Sequence, residues 1–321
     1  QEIRKLGESS MDIVHGFSGL DASRKGGAFA LGNFDGVHRG HQALLTLART
    51  HAAEHAMAFC AIVFDPHPRD FFRPDGAPFH LMSDPRRATV LAAQGVERLH
   101  VLPFDTAMMN RDPGAFAREV LHDGLGVDAV FTGADFQFGK DRAGDIATLK
   151  ELGEAYGFTA HAADLVAGEA GVISSTRIRD ALAEGRVKDA EALLGRPWVI
   201  DGAVEEGDRR GRTIGFPTAN IPLGRYQRPK FGVYAVSVQL DASGHWLAGV
   251  ANVGVRPTVA GQEERLEVHL FDFNRDIYGR SVAVSFPHWT GLLASVRGSL
   301  MVYAPPIHPA IGRITGPVLA R

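Results

Sequence analysis

The residues best suited to chemistry sit close together near the start of the chain. Asn33, Asp35, His38 and His41 share one short stretch with Gly32, Gly36 and Gly40. Glycines let the backbone approach a polyanion closely, and two histidines three positions apart can both donate to one phosphate, stabilising charge that grows on it in a transition state. The apolar run Ala28-Phe29-Ala30-Leu31 precedes the glycines, and Leu44, Leu45, Leu47 and Ala48 follow at helical spacing. The segment therefore predicts strand, glycine-rich turn and helix, with unpaired N–H groups and the positive end of a helix dipole facing the turn. Zinc is the competing ligand for His-x-x-His beside Asp35. A catalytic zinc usually takes three protein ligands, however, and nothing nearby completes a set.

Other clusters have the same flavour. Asp65-Pro66-His67-Pro68 ends the apolar run Ala56 to Phe64, which reads as a strand buried on both faces of a parallel sheet, where ligands collect beyond the carboxyl ends. Gly133-Ala134-Asp135-Phe136-Gln137-Phe138-Gly139-Lys140 is a glycine-rich loop after another strand. Ser174, Ser175, Thr176, Arg177 and Arg179 open a helix, where hydroxyls and arginines form an anion clamp as well as a cap. Gly207 to Asn220 is a further loop, whose glycines, Gly211 and Gly215 among them, and Arg209, Arg210 and Arg212 suit phosphate. Thr218 and Asn220 at its end offer oxygens suited to a hard ion such as Mg2+.

The elements needed to position these residues change character along the chain. Up to Leu194, apolar strands alternate with helical patterns at Arg86 to Gly95, Gly114 to Leu121 and Val187 to Leu194, which predicts a doubly wound α/β domain. From Gly195 onward, short runs at Val199–Val204, Val233–Leu240, Leu247–Val253, Leu266–Phe273 and Val282–Phe286 follow one another without helices between them. That grammar predicts an antiparallel all-β barrel or sandwich. The expected division is 11–194, 195–286 and a tail at 287–321.

Bulk properties narrow the partners. The chain has 321 residues, 45% hydrophobic, enough for two cores. With 34 basic and 37 acidic residues, its net charge of −3 argues against nucleic acid as a main partner and leaves small phosphorylated ligands open. A single cysteine, Cys60, excludes an internal disulfide and fits a reducing cytoplasm. No apolar stretch approaches the roughly 20 residues that span a bilayer, so no membrane partner is expected. Met11 lies where a start would suit the resemblance given next, and residues 1–10 are assigned no role.

Gly32-Asn33-Phe34-Asp35-Gly36-Val37-His38-Arg39-Gly40-His41 resembles the His-x-Gly-His signature of nucleotidyltransferases, in the form carried by bacterial bifunctional riboflavin kinase/FAD synthetases. Gly215-Phe216-Pro217-Thr218-Ala219-Asn220 is similar to the kinase signature of that family. The resemblance implies an adenylyltransferase half in which His38 and His41 stabilise the transition state, and Gly32, Asn33, Asp35, Gly36, Gly40, Lys140, Ser175, Thr176 and Arg179 bind the nucleotide. His67, Asp135 and Phe136 would bind the flavin there. It further implies a kinase half in which Glu267 is the catalytic base, Gly211, Gly215 and Thr218 bind ATP, Thr218 and Asn220 hold Mg2+, and Asn252 and Arg256 contact the flavin. Riboflavin, FMN and ATP are the implied ligands. The alternative from another class is a flavin-binding or regulatory protein with one or both activities lost.

The resemblance stops at Phe286. The 35 residues from Pro287 contain no Asp, Glu or Lys, only three Arg, and five of the chain's seventeen prolines. Gly298 to Ala304 can be encoded so that a neighbouring frame reads Lys-Phe-Asp-Gly-Leu-Arg, similar to the family's sequence at this place. A frame-shifted, loosely packed tail and an impaired kinase half are the corresponding expectations.

Overall fold

Alternation of short apolar strands with amphipathic helices gives the first part of the chain a parallel sheet. The structure, a computed structural model, describes residues 11–164, 166–168, 171–205, 218–240, 244–258, 261–291, 294–296 and 299–301, with 256–258, 261–263 and positions from 291 onward as backbone only. Two compact units divide them. One takes in residues up to Gly76 together with Asp84–Ile173; the other takes in Ala77–Ser83 and everything from Ser174.

In the first unit the elements run β1 (Asp12–His15), β2 (Ala28–Leu31), α1 (Arg39–Glu54), β3 (Phe59–Asp65), α2 (Pro68–Phe72), α3 (Asp84–Ala93), β4 (Arg98–Pro103), α4 (Thr106–Met109), α5 (Pro113–Ala115), β5 (Ala129–Gly133), α6 (Ile146–Tyr156) and β6 (Thr159–Ala163). A π-helical stretch, Phe116–Leu125, continues α5. The strands are ordered β1-β4-β3-β2-β5-β6 and every neighbouring pair is parallel. All of β2 is buried because alternate residues enter opposite faces. Phe29 and Leu31 join Val120, Leu121 and Leu149 in one core cluster. α1 packs along β2 and β5 through Leu44, Leu45 and Ala48. From β2 the chain steps outward through β3 and β4, then returns to lay β5 on the other side of β2. The crevice beyond the carboxyl ends of β2 and β5 is thus the topological switch point, the usual ligand address of such sheets.

A two-stranded ribbon, β7 (Ala167–Gly168) and β8 (Gly171–Val172), leads to the second unit. That unit holds α7 (Ser175–Ala183), α8 (Val187–Leu194), β9 (Val199–Ala203), β10 (Thr218–Pro222), β11 (Gly232–Leu240), β12 (Trp246–Thr258), β13 (Gly261–Leu270) and β14 (Ser281–Gly291). The last six form an antiparallel sheet in the order β10-β13-β12-β11-β14-β9. Its outer strands meet at a bridge between Glu205 and Asn220, which brings the sheet close to a closed barrel. Every second residue, such as Tyr234, Val236, Val238, Leu266, Val268 and Leu270, enters one core with Trp198 and Phe286. Ile178, Leu182 and Leu194 of the two helices belong to the same core. So does Leu81, whose backbone carbonyl accepts a 2.7 Å hydrogen bond from Trp198 Nε1.

Two readings of the sequence need correction, and three elements went unread. Thr218 and Asn220 lie on a strand, not in a loop; β10 adds to β13, and its Ala219 and Ile221 point into the core. β14 does not stop at Phe286 but pairs with β11 as far as Gly291, with Trp289 beneath the Lys230 ammonium at 4.3 Å and Thr290 Oγ1 donating to Val233 O. Strands β1 and β6 and helix α6 have short or weakly patterned sequences and were not anticipated. The expectation of a loose tail falls mostly on positions outside the described residues, as do Gly211 and Gly215.

Candidate active sites

At the switch point, the turn after β2 holds its shape under strain. Phe34 and Val37 have positive φ, 51° and 38°, although both are fully buried non-glycine residues. Such conformations persist only where the surroundings over-determine them, commonly at functional sites. The turn delivers His38 to the N-cap of α1, where its Nδ1 accepts from the His41 backbone N–H at 3.3 Å. An acceptor at Nδ1 leaves Nε2 to carry the proton of the neutral ring as a donor. The His41 ring stacks on His38 with centroids 3.6 Å apart, and Phe34 meets the edge of that stack at 5.3 Å. Gly40 leaves room for close packing: a Cβ there would lie 3.1 Å from the His38 ring, which would have to give by a few tenths of an ångström. Asp35 is buried at the centre of the turn.

A cavity of about 710 Å³ opens beside this turn. Gly32 and Asn33 form part of its wall, and Asp135, Phe136 and Lys140, from the loop after β5, form another part. The sequence-predicted Gly32, Asn33, Asp135, Phe136 and Lys140 therefore converge. The loop is closed on itself by paired backbone hydrogen bonds between Phe138 and Gly144, both 2.9 Å, and its exposed Lys140 follows Gly139 at φ 75°. The apolar side chains Phe64, Phe72, Phe104, Met108 and Phe116 line much of the rest, beside the polar Asn110, Gln137, Asp141 and Arg142. Sequence reading missed the apolar ones because each comes from a different place, β3, α2, the loop after β4, α4 and the π-helical stretch; the cluster Phe71-Phe72 was the one local hint. Phe104 packs edge-on against Phe64, Phe71 and Phe72 at 5.4 to 5.8 Å. His67 caps α2, accepting from Arg69 N at 3.0 Å, and its neighbours Pro68 and Arg69 line the cavity.

The serine-threonine-arginine cluster belongs to the second unit. Ser174 caps α7 by accepting from Arg177 N at 3.3 Å, so Ser175 and Thr176 occupy the first turn. Arg179 donates from Nε to Phe79 O at 2.8 Å and lies over the Phe79 ring.

On the barrel sheet, register does the assembling. Asn220 of β10 faces Glu267 of β13, and Glu267 faces Asn252 of β12. Neighbours directly opposite share a face, so the three side chains form one row across three strands, on the face away from Leu266 and Val268. Thr218 stands two residues along the same strand, paired with His269. Arg256 lies further along β12, opposite Glu263, with only its backbone described. Among the described residues no group of three His, Cys, Asp or Glu can hold a metal ion. No helix among them is long and apolar enough to cross a membrane.

Comparison with known proteins follows the same division. The FAD synthetase family model matches residues 20–177, and the riboflavin kinase model matches residues 194–290. A bifunctional riboflavin kinase/FMN adenylyltransferase of Pseudomonas fluorescens is 44% identical over 277 residues, 86% of this chain and 88% of that protein. The chain belongs to the bifunctional riboflavin kinase/FMN adenylyltransferase family. The family member of Escherichia coli K12 is 42% identical over 85% of this chain and 88% of its own length. That of Bacillus subtilis is 34% identical over 86% and 88%. A solved structure from Streptococcus pneumoniae, titled a macrolide-efflux protein, aligns with a TM-score of 0.78 and 32% identity over 90% of this chain and 93% of that one. Its title speaks of efflux, whereas what it shares with the family member described here is architecture. The family's second model reaches Thr290, in keeping with a β14 that continues past Phe286.

Proposed function

We propose that this protein phosphorylates riboflavin to FMN with ATP and adenylylates FMN to FAD with a second ATP, releasing pyrophosphate. The observation that carries the reading is one chain holding both a His38/His41 turn at a parallel-sheet switch point and the Asn220–Glu267–Asn252 row on a barrel sheet, each inside the span of the corresponding family model.

In the barrel unit, the Glu267 carboxylate takes the proton of the riboflavin 5′-hydroxyl as its oxygen attacks the γ-phosphorus. The bond from that phosphorus to its bridging oxygen breaks and ADP leaves. The Thr218 hydroxyl and the Asn220 carboxamide oxygen are hard donors, few in number, which fits Mg2+, an ion that keeps waters and substrate phosphates in its shell. They would hold it, and it would offset charge on the phosphates. Asn252, in the same row, is placed to orient the flavin; Gly211, Gly215 and Arg256 complete the proposed site from the sequence.

In the first unit, a phosphate oxygen of FMN attacks the α-phosphorus of ATP, and the bond to pyrophosphate breaks. A phosphate nucleophile is already ionised, so no base is needed. His38 Nε2 and the His41 ring donate to the charge that builds on the α-phosphate, with the α1 N-terminus and Lys140 behind them. The apolar wall of Phe64, Phe72, Phe104 and Phe136 suits the flat flavin ring. We place both reactions in the cytoplasm, where riboflavin and ATP meet.

Incubation of the protein with riboflavin, ATP and Mg2+, followed by separation of the flavins, tests the reading. FMN and then FAD should accumulate. Riboflavin that binds yet stays unchanged would favour a flavin-binding protein instead.

A further inference from the structure

Arg87 lies in the first turn of α3, a helix to which the sequence assigns no chemistry. Its side chain is nonetheless buried, 5% exposed. Nη2 pairs with Asp84 at 2.8 Å on the same helix, and Nη1 donates to the backbone carbonyl of Asn33 at 3.2 Å. Nε–H is buried and has no partner among the described residues. Desolvating a permanent charge is costly, and here the counter-ion is an exposed carboxylate, so stability alone gives a weak reason for the arrangement. What the guanidinium grips is the second residue of the phosphate turn. Asn33 lines the cavity, its Oδ1 is likewise buried without a partner among the described residues, and the next residue, Phe34, is held at φ 51°.

We propose that Arg87 is a positioning residue for adenylyl transfer. Held by Asp84 on one side, its fork fixes the Asn33 carbonyl and thereby the strained turn from Gly32 to Val37. The Asn33 carboxamide is then set in the cavity wall and His38 at the head of α1, with a permanent positive charge behind the site of the phosphates. A lysine would keep the charge but not the planar two-point grip. The proposal rests on the reading of this turn as the adenylyl-transfer site.

The test uses the full chain and compares Arg87→Ala, Arg87→Lys and His41→Ala. Readouts are kcat and KM for FMN adenylylation, the rate of riboflavin phosphorylation, and the thermal midpoint. Displacement of reacting groups by about 1 Å costs on the order of a hundredfold, so Arg87→Ala should lower the adenylylation kcat by about 10- to 100-fold. Phosphorylation and the midpoint should stay close to wild type, and added methylguanidinium, but not methylammonium, should restore part of the rate. A role confined to stability would move the midpoint and show no such rescue, which overturns the proposal. So does a wild-type adenylylation rate in Arg87→Ala while His41→Ala is inactive. Should both variants make FAD normally, the reading of the turn itself fails. If Arg87→Ala does not fold, Arg87→Lys decides: a reduced kcat at an unchanged midpoint supports positioning, and a wild-type kcat overturns it.

Discussion

At the scale of single residues, the two reactions should separate cleanly. His41 belongs to the first unit and Glu267 to the second. His41→Ala should abolish FAD formation from FMN while FMN formation from riboflavin persists; loss of a preorganised donor costs roughly a hundredfold to a thousandfold. Glu267→Gln should do the reverse, with a loss of about 10²- to 10⁴-fold. Assaying each step with its own flavin substrate checks both, and a variant that slows the two steps equally would contradict the assignment. A different residue governs pH. His100 in β4 is fully buried against Phe29, and neither ring nitrogen has a hydrogen-bond partner among the described residues. Burial, helped by the nearby Arg98 charge, pushes its pKa down from 6.5 to about 4. The unfolded chain then binds the extra proton first, so stability is complete above pH 6.5 and falls as pH drops from 6.5 to about 4. The loss over that window is about 3 kcal/mol, by the cost of about 1.36 kcal/mol per unit. His100→Leu should flatten this part of a denaturation-versus-pH profile, and a profile that keeps its slope would remove His100 as the cause. His38 and His41 were legible because chemistry-bearing types crowd one short stretch. Arg87 and His100 were not, because what distinguishes them is burial and a partner far away in sequence.

At the scale of elements, the strand-turn-helix unit from β2 to α1 was legible because its apolar run, glycines and helical stripe are contiguous. β10 was not, because what makes Thr218–Pro222 a strand is pairing with β13, nearly fifty positions later. The same pairing turns three scattered residues, Asn220, Asn252 and Glu267, into a row. Geometry within the turn also makes a prediction. The Cβ of Gly40→Ala would sit 3.1 Å from the His38 ring, whose other neighbour is the His41 ring stacked 3.6 Å away. The His38 ring must then give by a few tenths of an ångström, which disturbs the 3.3 Å cap it makes to His41 N. Gly40→Ala should therefore lower FMN adenylylation by about tenfold or more, by displacement of a reacting group, without a loss of riboflavin phosphorylation. Equal activity of the variant and the parent would mean that His38 has freedom that its packing does not suggest.

At the scale of the whole molecule, the change in sequence grammar at Gly195 marks where the sheet type changes, but the second unit's core starts earlier. Ile178, Leu182, Val187 and Leu194 pack with Trp198, Ile200 and Phe286, and Leu81 joins them from more than ninety positions upstream of α7. Trp198 is tied to Leu81 O, the Ser83 hydroxyl donates to Asp201 Oδ2 at 3.2 Å, and the Tyr226 hydroxyl receives the Ser83 N–H at 3.2 Å. Periodicity within helices cannot reveal which core they enter, and a seven-residue excursion such as Ala77–Ser83 has no signature of its own. The two ways of placing the boundary lead to different fragments. Removing one large buried aliphatic side chain from a core typically costs about 2–5 kcal/mol, and a fragment that begins at Gly195 lacks several at once, against a total stability of about 5–15 kcal/mol. Such a fragment should not fold or phosphorylate riboflavin. One that begins at Ser174 should regain helical signal, and a version with residues 77–83 joined to its start should melt at a higher temperature than the same fragment without them. Circular dichroism and thermal melts of the three decide the matter: a cooperative melt of the shortest fragment would show that the barrel sheet carries its own core.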